Sequence, residues 1–435
     1  MKQIYSVMIV GLLCGLAVSA RADVWTALQT VAADNPEIAA ARARLEQTQS
    51  DLGLAQTGWQ PTVAATGGIA RAKTKADGMN LDRAYTQKEY GIGLTQNVFQ
   101  GGTTLAATRA ADWRVQAEQA RVYATQQDVF LATVQAYIDV LNTREVLKLE
   151  QNNERVLQGY YDRCEEKAKV GVLTQTDVAQ ARARLAGARY RVIDAGARAE
   201  NALETYRRLV GEAATSYPDI DLTRTDNLFP KTLSGAEETA LKTHPALVAV
   251  QAQYAAADEN ITVARQTYMP SVDVKASAVK YHDIPVVDEI TDGRIGVYLT
   301  VPLYDKGVTR AQTRKAKATR SEVQMMMIQT RRTILEHLRQ AWNRYQAQKS
   351  AIEAADLRVR AARLALSGVR DEQEQGRRTV LDVLNAEREL LDARVMRTQA
   401  GHARVAAYFA VLSGMGRLTP EALSLSSDKA NGDKR

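Results

Sequence analysis

Two periodicities divide this chain. Over residues 61–100 and 270–305, apolar and polar positions alternate one for one. Tyr90, Ile92, Leu94 and Val98 interleave with Gly91, Gly93, Thr95 and Asn97. Val272, Val274, Ala276 and Ala278 interleave with Ser271, Asp273, Lys275 and Ser277, and Ile295, Val297, Leu299 and Val301 with Gly296, Tyr298 and Thr300. A weaker alternation follows Pro61 through Val63, Ala65, Gly67 and Ile69. Period-2 runs of about ten residues predict β-strands and fit both membrane strands and an ordinary half-buried sheet. On the membrane reading, the polar stretches 73–86 and 282–292 are long external loops. Four such strands cannot close a barrel. An eight-stranded one is already filled by side chains, so a conducting barrel needs several copies of the chain, and three copies give twelve strands.

Elsewhere the period is helical. Thr103 to Val170 contains no proline and one glycine, Gly159. A continuous helix there extends roughly 100 Å at 1.5 Å per residue. Val308 to Gln375 is similar. Such lengths predict coiled coils. The seam is clearest in Val178, Ala181, Leu185, Ala188, Val192, Ala195, Ala199, Ala202, Tyr206 and Leu209, which alternate by three and four. The corresponding run after residue 379 is broken by Arg397 and Arg404, as expected if that helix shows its neighbours another face.

The two periodicities recur together because the chain repeats itself. Pro36 and Pro61 return as Pro245 and Pro270, 209 residues on, and Thr26-Ala27-Leu28 is echoed by Thr239-Ala240-Leu241. Leu94-Thr95 returns as Leu299-Thr300, and Gly171…Thr174…Asp177-Val178 as Gly376…Thr379…Asp382-Val383, both 205 residues on. Each half therefore reads short helix, strand, loop, strand, long helix, turn, long helix. The expected organisation is a signal peptide (1–22), a helical segment (23–60), a β-hairpin (61–100), paired long helices (101–212) and a linker (213–238). The second helical segment (239–269), hairpin (270–305) and long helices (306–416) follow, then a polar tail (417–435).

Composition narrows the compartment and the chemistry. Lys2, an apolar run from Met8 to Val18 and Ala20-Arg21-Ala22 form a secretory signal with its cleavage site before Asp23. Its removal takes Lys2 and Arg21 from the 57 basic residues, against 50 acidic ones, and the net charge falls from +7 to +5. Of the 2 cysteines, Cys14 lies in the leader and Cys164 remains, which excludes a disulfide scaffold and a cysteine-rich metal site. The 4 histidines have no ligand spacing. Gly101-Gly102-Thr103-Thr104 sits where a phosphate loop would, without its lysine, and reads as a tight strand-to-helix turn. Neither G-x-S-x-G nor H-E-x-x-H occurs. No enzyme, cofactor or metal site is expected. The basic run Arg310, Arg314, Lys315, Lys317 and Arg320 is expected to be a solvated helix face or a contact to outer-membrane lipid headgroups, not to nucleic acid.

The two turns carry the candidate site. Glycine followed by threonine and an acid predicts a left-handed helix end and then a capped helix start. With these motifs and the duplicated pattern, Val170–Val178 and Gly376–Leu384 above all, the chain resembles the TolC family of outer-membrane channel proteins over nearly its whole mature length. The resemblance implies a mixed fold, a membrane β-barrel of twelve strands from three chains above a coiled-coil α-helical tunnel in the periplasm. It implies an exit duct for drugs, proteins or both, as a homotrimer. The implied partners are a periplasmic adaptor that docks at the tips and an inner-membrane RND pump or ABC transporter. By position, Asp382 matches the first of two aspartates that ring the narrow end, and Asn385 stands at the second. Arg378 matches an arginine that holds the entrance shut against a Thr-Asp pair, here Thr176 and Asp177. Gln373 occupies the place of a tyrosine in that lock. The tips themselves, Gly171, Val172, Leu173, Thr174, Gly376, Arg377 and Thr379, are the expected docking points. An exported coiled-coil adaptor without a barrel, or an exported enzyme on a helical scaffold, would share the helices but not the membrane strands.

Overall fold

The computed structural model describes residues 23–76, 81–214, 216–284 and 287–423. The expected signal peptide and the last part of the expected tail lie outside the described residues. The element order repeats twice. Helices α1 (Val24–Asp34) and α2 (Pro36–Gln56) lead to strands β1 (Thr62–Ala76) and β2 (Leu81–Gln100) and the long helices α3 (Thr103–Lys169) and α4 (Gln175–Val210). Then come α5 (Leu233–Thr243), α6 (Pro245–Gln266), β3 (Ser271–His282), β4 (Glu289–Thr300), α7 (Val308–Glu374) and α8 (Val380–Gly414). Each expected short helix is two helices. Pro36 and Pro245 open the second of each pair, where a ring with no N–H costs no hydrogen bond. The helices start at the offset of 209, so the echo of Thr26-Ala27-Leu28 is one helical turn out of phase. Thr239 stands where Thr30 does.

The chain forms two compact units. One gathers residues 37–125 and 238–336 and holds the sheet, which is antiparallel in the order β1-β2-β3-β4. The β2–β3 ladder joins the two halves of the repeat, with Leu94 opposite Ala276 and a bulge between Asn97 and Phe99. β1 and β4 are its edges. The expected long loops are shorter than the sequence suggested. β1 runs to Ala76 and β2 resumes at Leu81, and β4 begins at Glu289. The alternation fails there because both faces are polar, yet the ladder continues. Lys73 pairs with Asp82 at 2.8 Å and Thr74 hydrogen-bonds Tyr85 at 3.3 Å.

The second unit gathers residues 126–237 and 337–423 with the first helix. Its centre is aromatic. Phe229 stacks on Tyr408 at 4.4 Å, and Tyr408 donates to Thr225 Oγ1 at 3.0 Å. Tyr137 contacts Tyr206 and Tyr217, and its hydroxyl donates to the Pro218 carbonyl at 2.7 Å. Leu418, at the start of the expected tail, is fully buried. The α4 seam follows the expected heptad: Ala181, Leu185, Ala188, Ala195, Ala199, Tyr206 and Leu209 are buried. α8 buries two stripes. Val383, Leu390 and Ala393 pack with Ala362 and Leu366 of α7. Val380 and Leu384 pack with Leu157 and Cys164 of α3 and Leu185 of α4. Arg397 and Arg404 continue the Val383–Leu390 stripe at heptad spacing but are exposed, and Arg397 pairs with Asp356 of α7 at 3.2 Å.

Candidate functional site at the helical tips

The two turns are built alike from backbone groups. Gly171 has φ +77° and Gly376 φ +74°, the left-handed region where a Cβ is penalised. The Gly171 amide donates to Ala168 O and the Val172 amide to Lys167 O; Gly376 donates to Gln373 O and Arg377 to Glu372 O. Each pair is a Schellman closure, which satisfies the last carbonyls of α3 and α7. Three residues later the next helix starts. Thr174 Oγ1 accepts from the Asp177 amide at 3.2 Å while Asp177 Oδ2 accepts the Thr174 amide at 3.1 Å. Thr379 and Asp382 repeat this at 3.2 and 2.9 Å. These are the expected capping boxes. The amide and then the hydroxyl of Thr379 hold the Asp382 carboxyl below the usual carboxylate range.

Around these turns the expected site residues divide. Gly171, Val172, Thr174, Gly376, Arg377 and Thr379 are exposed, while Leu173 packs on the core of α3, α4 and α8. Arg378 donates from Nε to Glu372 Oε2 at 2.8 Å, on its own hairpin. Asp177 is engaged by Thr174. Within one chain, therefore, neither residue of the expected Arg378–Asp177 link is directed at the other. Gln373 lines a cleft with Tyr160, Arg163, Cys164, Lys167, Leu173, Val380 and Val383. Burial raises the Cys164 thiol pKa above its ordinary value, so the cysteine is a packing residue of this core. Asn385 is exposed, and its Oδ1 accepts from Arg184 Nη2 of α4 at 2.9 Å.

One cluster was not anticipated. Arg370 of α7 pairs with Glu387 of α8 and donates from Nε to Tyr160 OH of α3 at 3.0 Å. Glu387 is buried. Burial pulls the Arg370 pKa down, but the bond and charge of Glu387, together with Tyr160, outweigh it and hold the guanidinium above its ordinary value. The sequence did carry a signal: Leu384, Glu387 and Leu391 share one helical stripe, and a carboxylate on such a stripe needs a partner. Among the described residues no group of acidic, histidine or cysteine side chains could hold a metal, and no helix is long and apolar enough to cross a membrane.

Comparison with known proteins gives the same frame. The model of the family described as outer membrane efflux protein matches residues 27–212 and 237–417, one stretch per repeat. Outer membrane efflux protein BepC of Brucella suis is 29% identical over 395 residues, covering 90% of this chain and 85% of BepC. Outer membrane protein TolC of Escherichia coli is 24% identical over 353 residues, covering 76% and 70%. Among solved structures, the CmeC outer membrane channel of Campylobacter jejuni superposes with TM-score 0.82 at 19% identity, covering 94% of this chain and 87% of CmeC. VceC of Vibrio cholerae superposes with TM-score 0.79 at 18% identity, covering 90% and 96%.

Proposed function

The chain belongs to the outer membrane efflux protein family, and from that premise we propose that three copies form the exit duct of an energised export assembly. It is a channel of the Gram-negative outer membrane that reaches across the periplasm. Its relatives are transport proteins. In our reading the duct catalyses nothing, and an inner-membrane RND pump or ABC transporter supplies the energy. Outer-membrane lipid surrounds the strands.

The observation that carries the docking role is the duplicated tip. Two turns far apart in sequence share one Schellman closure, one capping box and an exposed rim. Three chains would present six such tips around one axis, a repeating surface for a periplasmic adaptor. In the assembly Asp382 forms one negative ring, and Asn385 replaces the second with a neutral one. Arg378 reaches Thr176 and Asp177 of a neighbouring copy when the entrance is shut, and Gln373 supports Asp177 as an amide.

Relatives named for alkaline protease secretion in Pseudomonas aeruginosa and for pyoverdine export in Pseudomonas putida suggest protein and small-molecule cargo. Deleting the gene should raise sensitivity to toxic compounds, reduce secreted protein, or both. Complementation by the wild-type chain but not by a Gly171/Gly376 tip variant that still assembles would support the reading. A deletion strain unchanged in both respects would overturn it.

A further inference from the structure

The basic run at the start of α7 has no part in the tips. Between Asp305 and Glu322 the chain carries six cations and no acid. The equivalent stretch of the other repeat, 205 residues earlier, has Arg109, Asp112 and Arg114 as its charged residues. The excess charge thus belongs to one copy of a duplicated element, and forming the helix does not require it. Arg320 pairs with Asp258 of α6 at 2.9 Å. The nearest acid before the run, Asp305, accepts from the Gly307 and Thr309 amides at 2.9 and 2.7 Å. Arg310, Arg314 and Lys317 are exposed and, among the described residues, form no ion pair. At spacings of four and three they share one stripe of the helix.

The other repeat shows which face of this helix stays open. α3 has a neighbour on each flank: Thr108 Oγ1 donates to Ala55 O of α2 at 3.5 Å, and Arg114 donates to Asn260 of α6 at 3.1 Å. With both in place Ala106, Ala110 and Ala111 are buried, while Leu105, Arg109 and Asp112 are exposed. Those three exposed positions are the counterparts of Arg310, Arg314 and Lys317. Lys315 matches the buried Ala110 and does not belong to the stripe. The sheet sets the level. Trp59, Phe99, Tyr268 and Tyr304 are exposed at the helical ends of β1, β2, β3 and β4, the place where aromatic rings mark a membrane–water boundary. Lys306 follows Tyr304 by two residues, in left-handed backbone at φ +56° where the other repeat has Gly101 at +62°. The stripe below it takes up about 10 Å of helix axis. Side chains on a helix lean towards its N-terminus, here towards the sheet.

We propose that Arg310, Arg314 and Lys317, with Lys306 above them, form a site for the phosphate of an anionic phospholipid in the periplasmic leaflet of the outer membrane. The proposal rests on the outer-membrane reading. Two forked guanidiniums one turn apart suit a phosphate diester. The stripe has no carboxylate to neutralise it, and it begins where the aromatic level places the headgroups. Its absence from α3 gives each chain one such site, not two. The site would favour lipids with a net negative headgroup over zwitterionic ones, and added salt would weaken it.

Lipid titration of the full chain in detergent micelles, with retained lipids counted by native mass spectrometry, tests this. Phosphatidylglycerol should be retained in preference to phosphatidylcholine. Arg310→Gln/Arg314→Gln/Lys317→Gln should weaken phosphatidylglycerol retention by roughly tenfold or more and leave phosphatidylcholine unchanged. Arg310→Lys/Arg314→Lys, which keeps the charge, should retain most of the preference. Arg344→Gln/Lys349→Gln/Arg360→Gln removes three exposed cations from the far part of α7 and should have little effect. Inorganic phosphate should displace the lipid no better than sodium chloride of equal ionic strength, and stronger displacement would make free phosphate the ligand. Equal retention of the two lipids by the wild-type chain would overturn the site whatever the variants do. So would equal losses in the two triple variants, which would reduce the effect to net charge. Unchanged lipid retention with altered ion selectivity in planar bilayers would place the stripe inside the duct and overturn the lipid site while leaving the channel. A chain that stays folded and dispersed without detergent would overturn the outer-membrane reading itself.

Discussion

Thr174 and Thr379 hold identical positions at the two tips, and their partners show how a sequence motif becomes a rigid turn. Each hydroxyl accepts an amide three residues on and donates to the returning carboxylate. Both were legible because Gly-x-x-Thr-x-x-Asp encodes a helix stop and start within eight residues. Thr379→Ala should lower stability by about 0.5–2 kcal/mol while Thr379→Ser stays near wild type, measured by denaturant melts. Gly171→Val or Gly376→Val forces a Cβ into left-handed backbone at about 1–2 kcal/mol. No neighbour lies within 4 Å of the added Cβ, so the strain stays local and assembly should survive. Loss of export with intact trimers would identify the tips as docking points, and full export would reduce them to caps. The pH dependence of the Asp382 cap has a definite sign. Its folded pKa is depressed relative to the unfolded chain, so its contribution is present above the ordinary carboxylate range. It is lost as pH falls through the folded value. Melting temperature followed through the acid range should therefore fall less steeply for Asp382→Ala than for wild type.

At the scale of elements, α4 was readable and α8 only half so. α4 buries a single seam, and a 3–4 alternation reports a single seam faithfully. α8 is wedged between α7 on one side and α3 with α4 on the other, so its apolar positions form two overlapping stripes that no heptad describes. Arg397 and Arg404 looked like faults in a core; they sit on the α7-facing stripe but are exposed to solvent, Arg397 paired with Asp356 of α7. The same geometry hid the Tyr160–Arg370–Glu387 cluster, whose members come from three helices and lie up to 227 residues apart. Glu387 is the element that makes this cluster matter. Removing its cation leaves a buried carboxylate alone, which in comparable sites costs about 3–5 kcal/mol. Arg370 is partly exposed, so the loss here should fall towards the lower end. Arg370→Met is expected to lower the melting temperature clearly. Arg370→Met/Glu387→Met should recover most of it, because both desolvation penalties are gone. A double variant no more stable than the single one would show that the cluster is held by packing alone.

At the scale of the whole molecule, the duplication was the most legible feature, because its prolines and turn motifs recur at fixed offsets. What one chain could not display is anything that exists only around an axis. The proposed constriction is such a feature. In one chain Asp382 is a capping residue with a depressed pKa. Three copies at a narrow mouth would repel one another, shift their titration upward from that value and titrate as a coupled set. A ring of carboxylates favours cations and holds multivalent ones. The expected outcome is a cation-selective channel of low resting conductance that trivalent cations block from the periplasmic side, with the block fading as the ring protonates. Asp382→Ala should relieve the block without abolishing assembly. Arg378→Ser should raise resting conductance if it frees the proposed link to a neighbouring Thr176 and Asp177. The second ring is subtler, because Asn385 is not an isolated amide: Arg184 donates to it at 2.9 Å. Asn385→Asp would turn that bond into an ion pair, and a guanidinium alongside would neutralise much of the restored ring. Asn385→Asp alone should therefore strengthen trivalent block modestly. In an Arg184→Gln background the same substitution should strengthen it severalfold, with selectivity moving further towards cations. Single-channel recordings in planar bilayers across these variants separate the two cases. Equal block in both backgrounds would mean that Arg184 turns away from residue 385 once the three chains assemble.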